Sequence, residues 1–327
     1  MDSGNISKYA QLASKAVKSP EKATYKIKEF IGSIPAGIHS NWKTKDLAGQ
    51  GERVRLLRQE EEYLLIVLDA CRYDFFKNIA PEYLTFDSIE PVRSEGRNTF
   101  EYVSRCWSGE YEDVEYISAA TPVNSDSRSE YDQDTLSQLY GGYVPSEHIS
   151  NIRDVWRESW DESIGITPPK AVTDAALETD KNRLVAHYFQ PHAPFIGRQS
   201  LLGHTNDESS RPWEGEPVDV PVWQQVKFGD LTQEELRAVY ESNLHRALRE
   251  VRRLVIETEI ENIVIMGDHG EALGEYWAYE HPRIEHPYIR TVPWAVVKGV
   301  CDYPDSSDQG ESDSSVTSRL EDLGYLS

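Results

Sequence analysis

Two short stretches constrain the fold more than anything else in the chain. Tyr63 to Leu68 is an unbroken apolar run that ends on Asp69, within YLLIVLDACRYDFF. Ile263 to Met266 runs in the same way into Gly267, Asp268, His269, Gly270 and Glu271. A strand without polar alternation is buried on both faces, as in a parallel sheet covered by helices. In such a sheet the carboxyl ends of the strands lie along one edge, and ligands bind there. Asp and Gly are common where a strand turns into a loop. That accounts for the glycines, but not for an acid and an imidazole side by side at the mouth of a buried strand. The Asp268-His269 pair marks a metal or catalytic site.

The rest of the chain supports this frame. Further strands are expected at VEYISAA (114–120), RLVAHYF (183–189), NIVIMG (262–267) and VPWAVVK (292–298). RYDFFKNI continues from Asp69 with helical spacing. The clearest helix is 232–257. Leu236, Val239, Tyr240, Leu244, Ala247, Leu248, Val251 and Leu254 form one stripe, with Thr232 as N-cap and Glu235 completing a capping box. Strands alternating with helices predict an α/β fold: a mostly parallel sheet sandwiched between helices, with loop insertions at 120–165 and 198–230. The segment 302–315 is an acidic, Ser-rich linker. The expected division is a basic helical lead over 1–55, a catalytic domain over 56–300, and a linker with tail over 301–327.

Charge narrows the partners. The 327 residues hold 56 acids against 34 bases, a net −22. That excludes a general nucleic-acid binder, which needs a basic face. Such acidity is a halophile's pattern, and a salt-rich host is the corresponding expectation. Residues 1–50 run the other way, with eight Lys and four acids, so the lead is +4 and the remainder −26. Its apolar face reads as modest, so the first expectation is one or two solvated helices on the acidic body. The alternative is peripheral contact with an anionic membrane surface or a partner. No signal-peptide core and no 18-residue apolar run occurs. Three cysteines without a CxxC pair read as reduced thiols of a cytoplasmic protein.

Three strands end on ligand-type residues: Asp69, then His187 and His192 in HYFQPHAPF, then Asp268-His269. His281 and His286 follow in YEHPRIEHPYIRTVPW. Carboxylate and imidazole sets of this kind suit a divalent metal such as Zn, Mn or Mg.

At this point the chain resembles a known group. LLIVLDACRYDFF, HYFQPHAPF, IVIMGDHGEALGE, HPYIRTVPW and the terminal RLEDLGYLS look like the sulfatase branch of the alkaline phosphatase superfamily. The resemblance implies an α/β/α sandwich and metal-assisted transfer of a phosphoryl or sulfuryl group. The metal it implies is Zn, Mn, Mg or Ca. It implies that Asp69 is the first metal-binding acid and that Asp268 and His269 are the later metal pair. His192 matches the substrate-side histidine. His281 or His286 matches the late histidine that binds a second metal or the substrate's oxygens. EHP occurs twice, and His281 is preferred as nearer to the Asp268-His269 loop. Arg72 and Asp74 follow Asp69 as in the family: Arg72 to contact the phosphate or brace Asp69, Asp74 to hold the framework.

The nucleophile departs from sulfatases. None of Cys71, Cys106 and Cys301 is followed by the signature for formylglycine formation. Instead SEGRNTFEYVSRCW places Thr99 thirty residues after Asp69, at an expected helix start. A helix N-terminus stabilises an anion, and a metal lowers the pKa of a bound hydroxyl. The stretch resembles the phosphatase and phosphodiesterase version of the superfamily, and that resemblance implies Thr99 as nucleophile and metal ligand, with Ser94 as alternative; taken alone, the residues favour the bland account that Asn98 or Thr99 merely caps the helix. Arg97 is placed to clamp an anion. The expected function is a hydrolase or transferase acting on small-molecule or glycan- or lipid-linked phosphate or sulfate esters. The rivals are a sulfatase independent of formylglycine and a non-catalytic metal-binding protein of surface-glycan or lipid assembly. Specificity would lie in the insertions, where Trp156, Trp160, Trp213 and Trp223 either stack on substrate or pack the insertions down.

Overall fold

A computed structural model describes residues 20–197 and 221–301. The linker at 302–315, Trp213 and residues 1–19 lie outside the described residues. Two helices lead in, α1 (Pro20–Thr44) and α2 (Gln50–Leu57). Then follow β1 (Tyr63–Leu68), α3 (Tyr73–Ile79), β2 (Leu84–Arg93), α4 (Thr99–Cys106) and β3 (Tyr111–Ser118). The insertion holds α5 (Gln133–Gln138), β4 (Ile149–Asp154) and α6 (Val155–Glu158). Next come α7 (Pro169–Leu177), β5 (Arg183–Tyr188), α8 (Pro221–Phe228), α9 (Gln233–Glu257) and β6 (Ile263–Gly267). The short pair β7 (Ala272–Leu273) and β8 (Tyr279–Glu280) and the long β9 (Thr291–Val300) close the chain.

Among the described residues, seven strands form one sheet in the order β2-β9-β6-β1-β5-β3-β4. β1 is central, wholly buried, and pairs in parallel with β5 and β6. β9 is antiparallel to both its neighbours, β2 and β6, and the other pairings in the sheet are parallel. Apolar side chains cover both faces. α3, α7 and α9 pack on one through Phe76, Val172 and Leu248. α2 and α4 pack on the other through Leu57 and Val103. This is the expected sandwich, and the capping box of α9 forms between Thr232 and Glu235.

The differences lie at the sheet edges. β2 and β4 are absent from the sequence expectation because their sequences, LTFDSIEPVR and ISNIRD, break every apolar run. An edge strand has one free side, so it tolerates Pro91 and keeps charges that deter pairing with other chains. β2 matters for the site: its carboxyl end leads into the loop that carries Thr99. In the insertions, Trp156 and Trp223 are buried in packing, Trp223 against Phe195.

Candidate active site

The strand ends bring the ligand-type residues together. α4 begins at Thr99 because Asn98 caps it, its side chain accepting from the Glu101 amide at 2.9 Å. Asn98 takes the capping role, so the Thr99 hydroxyl is left to the site. Thr99 Oγ1 stands 2.9 Å from Asp268 Oδ2, 3.3 Å from Asp69 Oδ2 and 3.5 Å from His269 Nε2. His269 bonds its Nδ1 to the Gly270 carbonyl at 2.9 Å, which turns Nε2 towards Asp69 and Asp268, both at 3.4 Å. A carbonyl partner keeps a proton on Nδ1, so the neutral form of the ring presents its lone pair at Nε2.

A second donor group adjoins the first. His192, Glu271 and His281 bring ligand atoms within 4.8 Å of one another, as do Asp69, His187 and Asp268. The His269 and His281 rings are 4.7 Å apart and the His192 and His281 rings 5.3 Å. His281 reaches Glu271 Oε1 through Nδ1 at 3.3 Å, and His192 Nδ1 is held on the Ala193 carbonyl at 2.6 Å. His286 is elsewhere. Its Nε2 meets the Glu275 carbonyl and its Nδ1 accepts from the Tyr288 amide. Of the two EHP histidines, the structure brings His281 into the cluster and leaves His286 in the wall.

Other expected residues have different surroundings. Arg72 does not brace Asp69: its guanidinium forks onto Asp74 at 2.7 and 2.9 Å, meets Glu275 at 2.8 Å and lies over the Tyr288 ring. Arg97 is paired with Glu101 on α4. The Ser94 hydroxyl faces the Gly96 and Asp268 carbonyls, so it holds backbone. Cys71 is a small buried residue, its thiol pushed up by burial.

Three supporting residues escaped the sequence. Gln50 of α2 donates to the Gly267 carbonyl at 2.5 Å and accepts from the Glu95 amide, tying the Asp268 loop to the Thr99 loop. Tyr240 of α9 donates to the Ala70 carbonyl at 2.7 Å and accepts from the Arg72 amide. Ala70 sits at φ 59°, a left-handed conformation that costs an L-residue about 1–2 kcal/mol. Asp268 Oδ1 also accepts from its amide at 2.9 Å. Asn243, one turn on, donates to the Pro191 and His192 carbonyls and accepts from the Ile196 amide.

The field at the site is anionic. Burial, then the Asp69 charge, pushes the Asp268 carboxyl up to about 7. Burial also works to raise Asp69, but His269 and His192 outweigh it and hold it down. Burial would lower His269; the Asp268 and Asp69 carboxylates raise it to about 10 instead. Burial raises Glu271 to about 7 and lowers His187 and His281 to about 4. Three buried atoms here have no hydrogen bond: Asp69 Oδ1, His187 Nε2 and Glu271 Oε2. Each such orphan costs about 1–3 kcal/mol. Converging oxygens and imidazole nitrogens with orphaned atoms fit divalent cations.

The fold and site together define a mostly parallel α/β sandwich with a hydroxyl, two donor groups and an anionic field at its strand ends. No family model and no curated protein matches the chain. Solved structures do. The soluble domain of lipooligosaccharide phosphoethanolamine transferase A from Neisseria meningitidis is 14% identical over 79% of this chain and 80% of that one, with a TM-score of 0.41. The chain spans half the length, 50%, of the integral membrane form, again at 14% identity over 79% of this chain, with a TM-score of 0.40. A phosphonate monoester hydrolase from Silicibacter pomeroyi is 14% identical over 72% of this chain and 68% of that one, with a TM-score of 0.41. Likeness this remote carries no residue roles, which rest on the geometry above.

Proposed function

We propose that the chain is a metal-dependent hydrolase or transferase of phosphate or sulfate esters, with Thr99 as nucleophile. The observation that carries this is the Thr99 hydroxyl: buried at the start of α4, 2.9 Å from one acid and 3.3 Å from another. Asp69, Asp268, His269 and Thr99, with His187 beside them, would hold one divalent cation, and His192, Glu271 and His281 a second. Bound there, such cations lower the pKa of the threonine hydroxyl and neutralise the oxygens of the transferring group.

The chain's own groups supply the rest. Asp268 and Asp69 orient the hydroxyl, and its proton leaves towards the Asp268 carboxylate. The Oγ–phosphorus bond forms as the bond to the leaving oxygen breaks, and the positive N-terminal end of α4, where Thr99 sits, favours the developing charge. Water, or an acceptor alcohol, then takes the group from Thr99. His192 has its Nδ1 proton on the Ala193 carbonyl, so Nε2 offers a lone pair. That suits a ligand.

The test is bound-metal content measured beside turnover of aryl phosphate, aryl phosphodiester and aryl sulfate, in wild type and Thr99→Ala. The expected result is phosphoester turnover that falls on the order of 10³-fold or more in Thr99→Ala with metal retained. Turnover unchanged in Thr99→Ala overturns the nucleophile. Metal without turnover on any ester favours a transferase lacking its acceptor or a binding role.

A further inference from the structure

α1 is built inside out. Its inward face is small: Gly32, Ala36, Ser40 and Thr44 recur every fourth residue and are buried. Gly32 is required there, since a Cβ would lie 1.9 Å from the Tyr276 carbonyl oxygen. The large apolar residues point away from the protein. Ile27, Phe30, Ile31, Ile34, Ile38 and Trp42 are 55–71% exposed. At 100° per residue they span about 120° of the helix, the width of a stripe that normally faces a core. The sequence expectation of a modest apolar face is corrected: the face is broad, and among the described residues nothing covers it.

We propose that this stripe docks on an anionic lipid surface. Charge selects that occupant. Lys26 and Lys28 lie about 100° to either side of the stripe's centre, both exposed, and exposed Lys45 follows the helix. Lys8, Lys15, Lys18 and Lys22 precede them in a lead of +4. The one acid within the helix beyond its first turn, Glu29, is turned inward and bonded to Lys26. A second copy of this chain would instead bring one −26 remainder against another. Basic flanks around an apolar stripe with a tryptophan near one end suit a helix lying in the plane of a bilayer interface. Among the described residues no helix is long and apolar enough to cross a membrane.

The placement is next to the site. α1 packs on the 275–277 turn, and Phe30 and Ser33 line an open cleft of about 510 Å³ with Lys227, Glu280, Pro282 and Ile284, the last three from the stretch of chain that carries His281. Resting on the proposed function, this assigns the substrate to the class of lipid-borne esters. Docking itself is tested without catalysis.

The experiment is sedimentation of the full chain with phosphatidylcholine vesicles, with and without phosphatidylglycerol, at low and high salt. Trp42 quenching by brominated lipid is read beside it, with Trp42→Phe as control. Wild type is expected to partition at least on the order of tenfold more strongly onto the anionic vesicles. Ile34→Glu with Ile38→Glu, both exposed, abolishes binding and leaves the urea midpoint unchanged. Lys26→Glu with Lys28→Glu removes the preference for anionic lipid. The proposal is overturned if wild type stays with the supernatant, or if the double Glu variant binds as wild type does. It is also overturned if that variant converts a dimer to a monomer in the absence of lipid, which would identify a second copy as the occupant. Loss of esterase activity in Thr99→Ala leaves vesicle binding unchanged, so the two readings fail separately.

Discussion

Glu275→Gln isolates one buried charge behind the site. Glu275 Oε1 meets Arg72 Nη1 at 2.8 Å and Arg237 Nη2 closer still, while Oε2 accepts from the Leu273 amide at 2.8 Å. Its side chain is 14% exposed and that of Arg72 1%. Burial would raise its pKa, but Arg72 and Arg237 overcome this and lower it from 4.5 to about 2. At ~1.36 kcal/mol per pH unit, that fall is worth about 3 kcal/mol, in the range of losing one partner of a buried ion pair. The folded pKa lies below the unfolded one. The stability is therefore fully present above pH 4.5 and is lost as pH falls towards 2. Gln keeps a carbonyl for the Leu273 amide and removes the charge alone. Urea unfolding at pH 7 should show Glu275→Gln about 3 kcal/mol less stable than wild type, and the gap should close steadily between pH 4.5 and 2. A gap that stays constant with pH, or one below about 0.5 kcal/mol at pH 7, would refute the pairing as the source.

Two further substitutions separate strain from ligation. Ala70→Gly relieves a left-handed backbone while freeing the unfolded chain, so a net gain of about 0.5–1 kcal/mol is expected in urea unfolding; a loss would mean that the Ala70 methyl packs usefully. Glu271→Gln removes the acid from the second donor group, and bound metal should drop by one equivalent while the Thr99 group keeps its own; an unchanged stoichiometry would exclude Glu271 as a ligand.

How much of this could be read from the sequence follows from burial. β1, β5, β6 and β9 announce themselves as apolar runs because both faces, or most of them, are covered. β2 and β4 do not, because an edge strand is half solvated. Asp69, Asp268 and His269 stand out as polar residues at the ends of apolar runs, and Thr99 as a hydroxyl at a helix start. His187 stands with the ligand-type residues in the sequence, but its surroundings are not legible there. It lies inside β5, with Nδ1 bonded to Tyr116, a contact between strands that no local pattern gives. Glu271 sits among glycines in the very loop that carries Asp268, but its partner His281 is ten residues on. The choice between His281 and His286 depended on the β7–β8 hairpin, whose Tyr276 and Trp277 take left-handed φ values that no local pattern predicts.

The element most legible in the sequence turns out to do the least legible work. The spacing of α9 predicts an amphipathic helix, and its stripe is buried as expected. Tyr240 lies on that stripe, and Asn243 is three residues on. Residues at that spacing share a helix face. Tyr240 holds the Asp69 loop through Ala70 and Arg72, and Asn243 holds the His192 loop through three backbone groups. Each loop feeds one donor group, so a rigid helix sets the distance between the two. A shift of α9 along its axis would move Asp69 and His192 together, preserving their separation while changing both against Asp268 and Thr99, which ride on β6 and α4. The reach between the Thr99 hydroxyl and the second donor group is thus set by how α9 packs on the sheet, through Leu244, Leu248 and Val251.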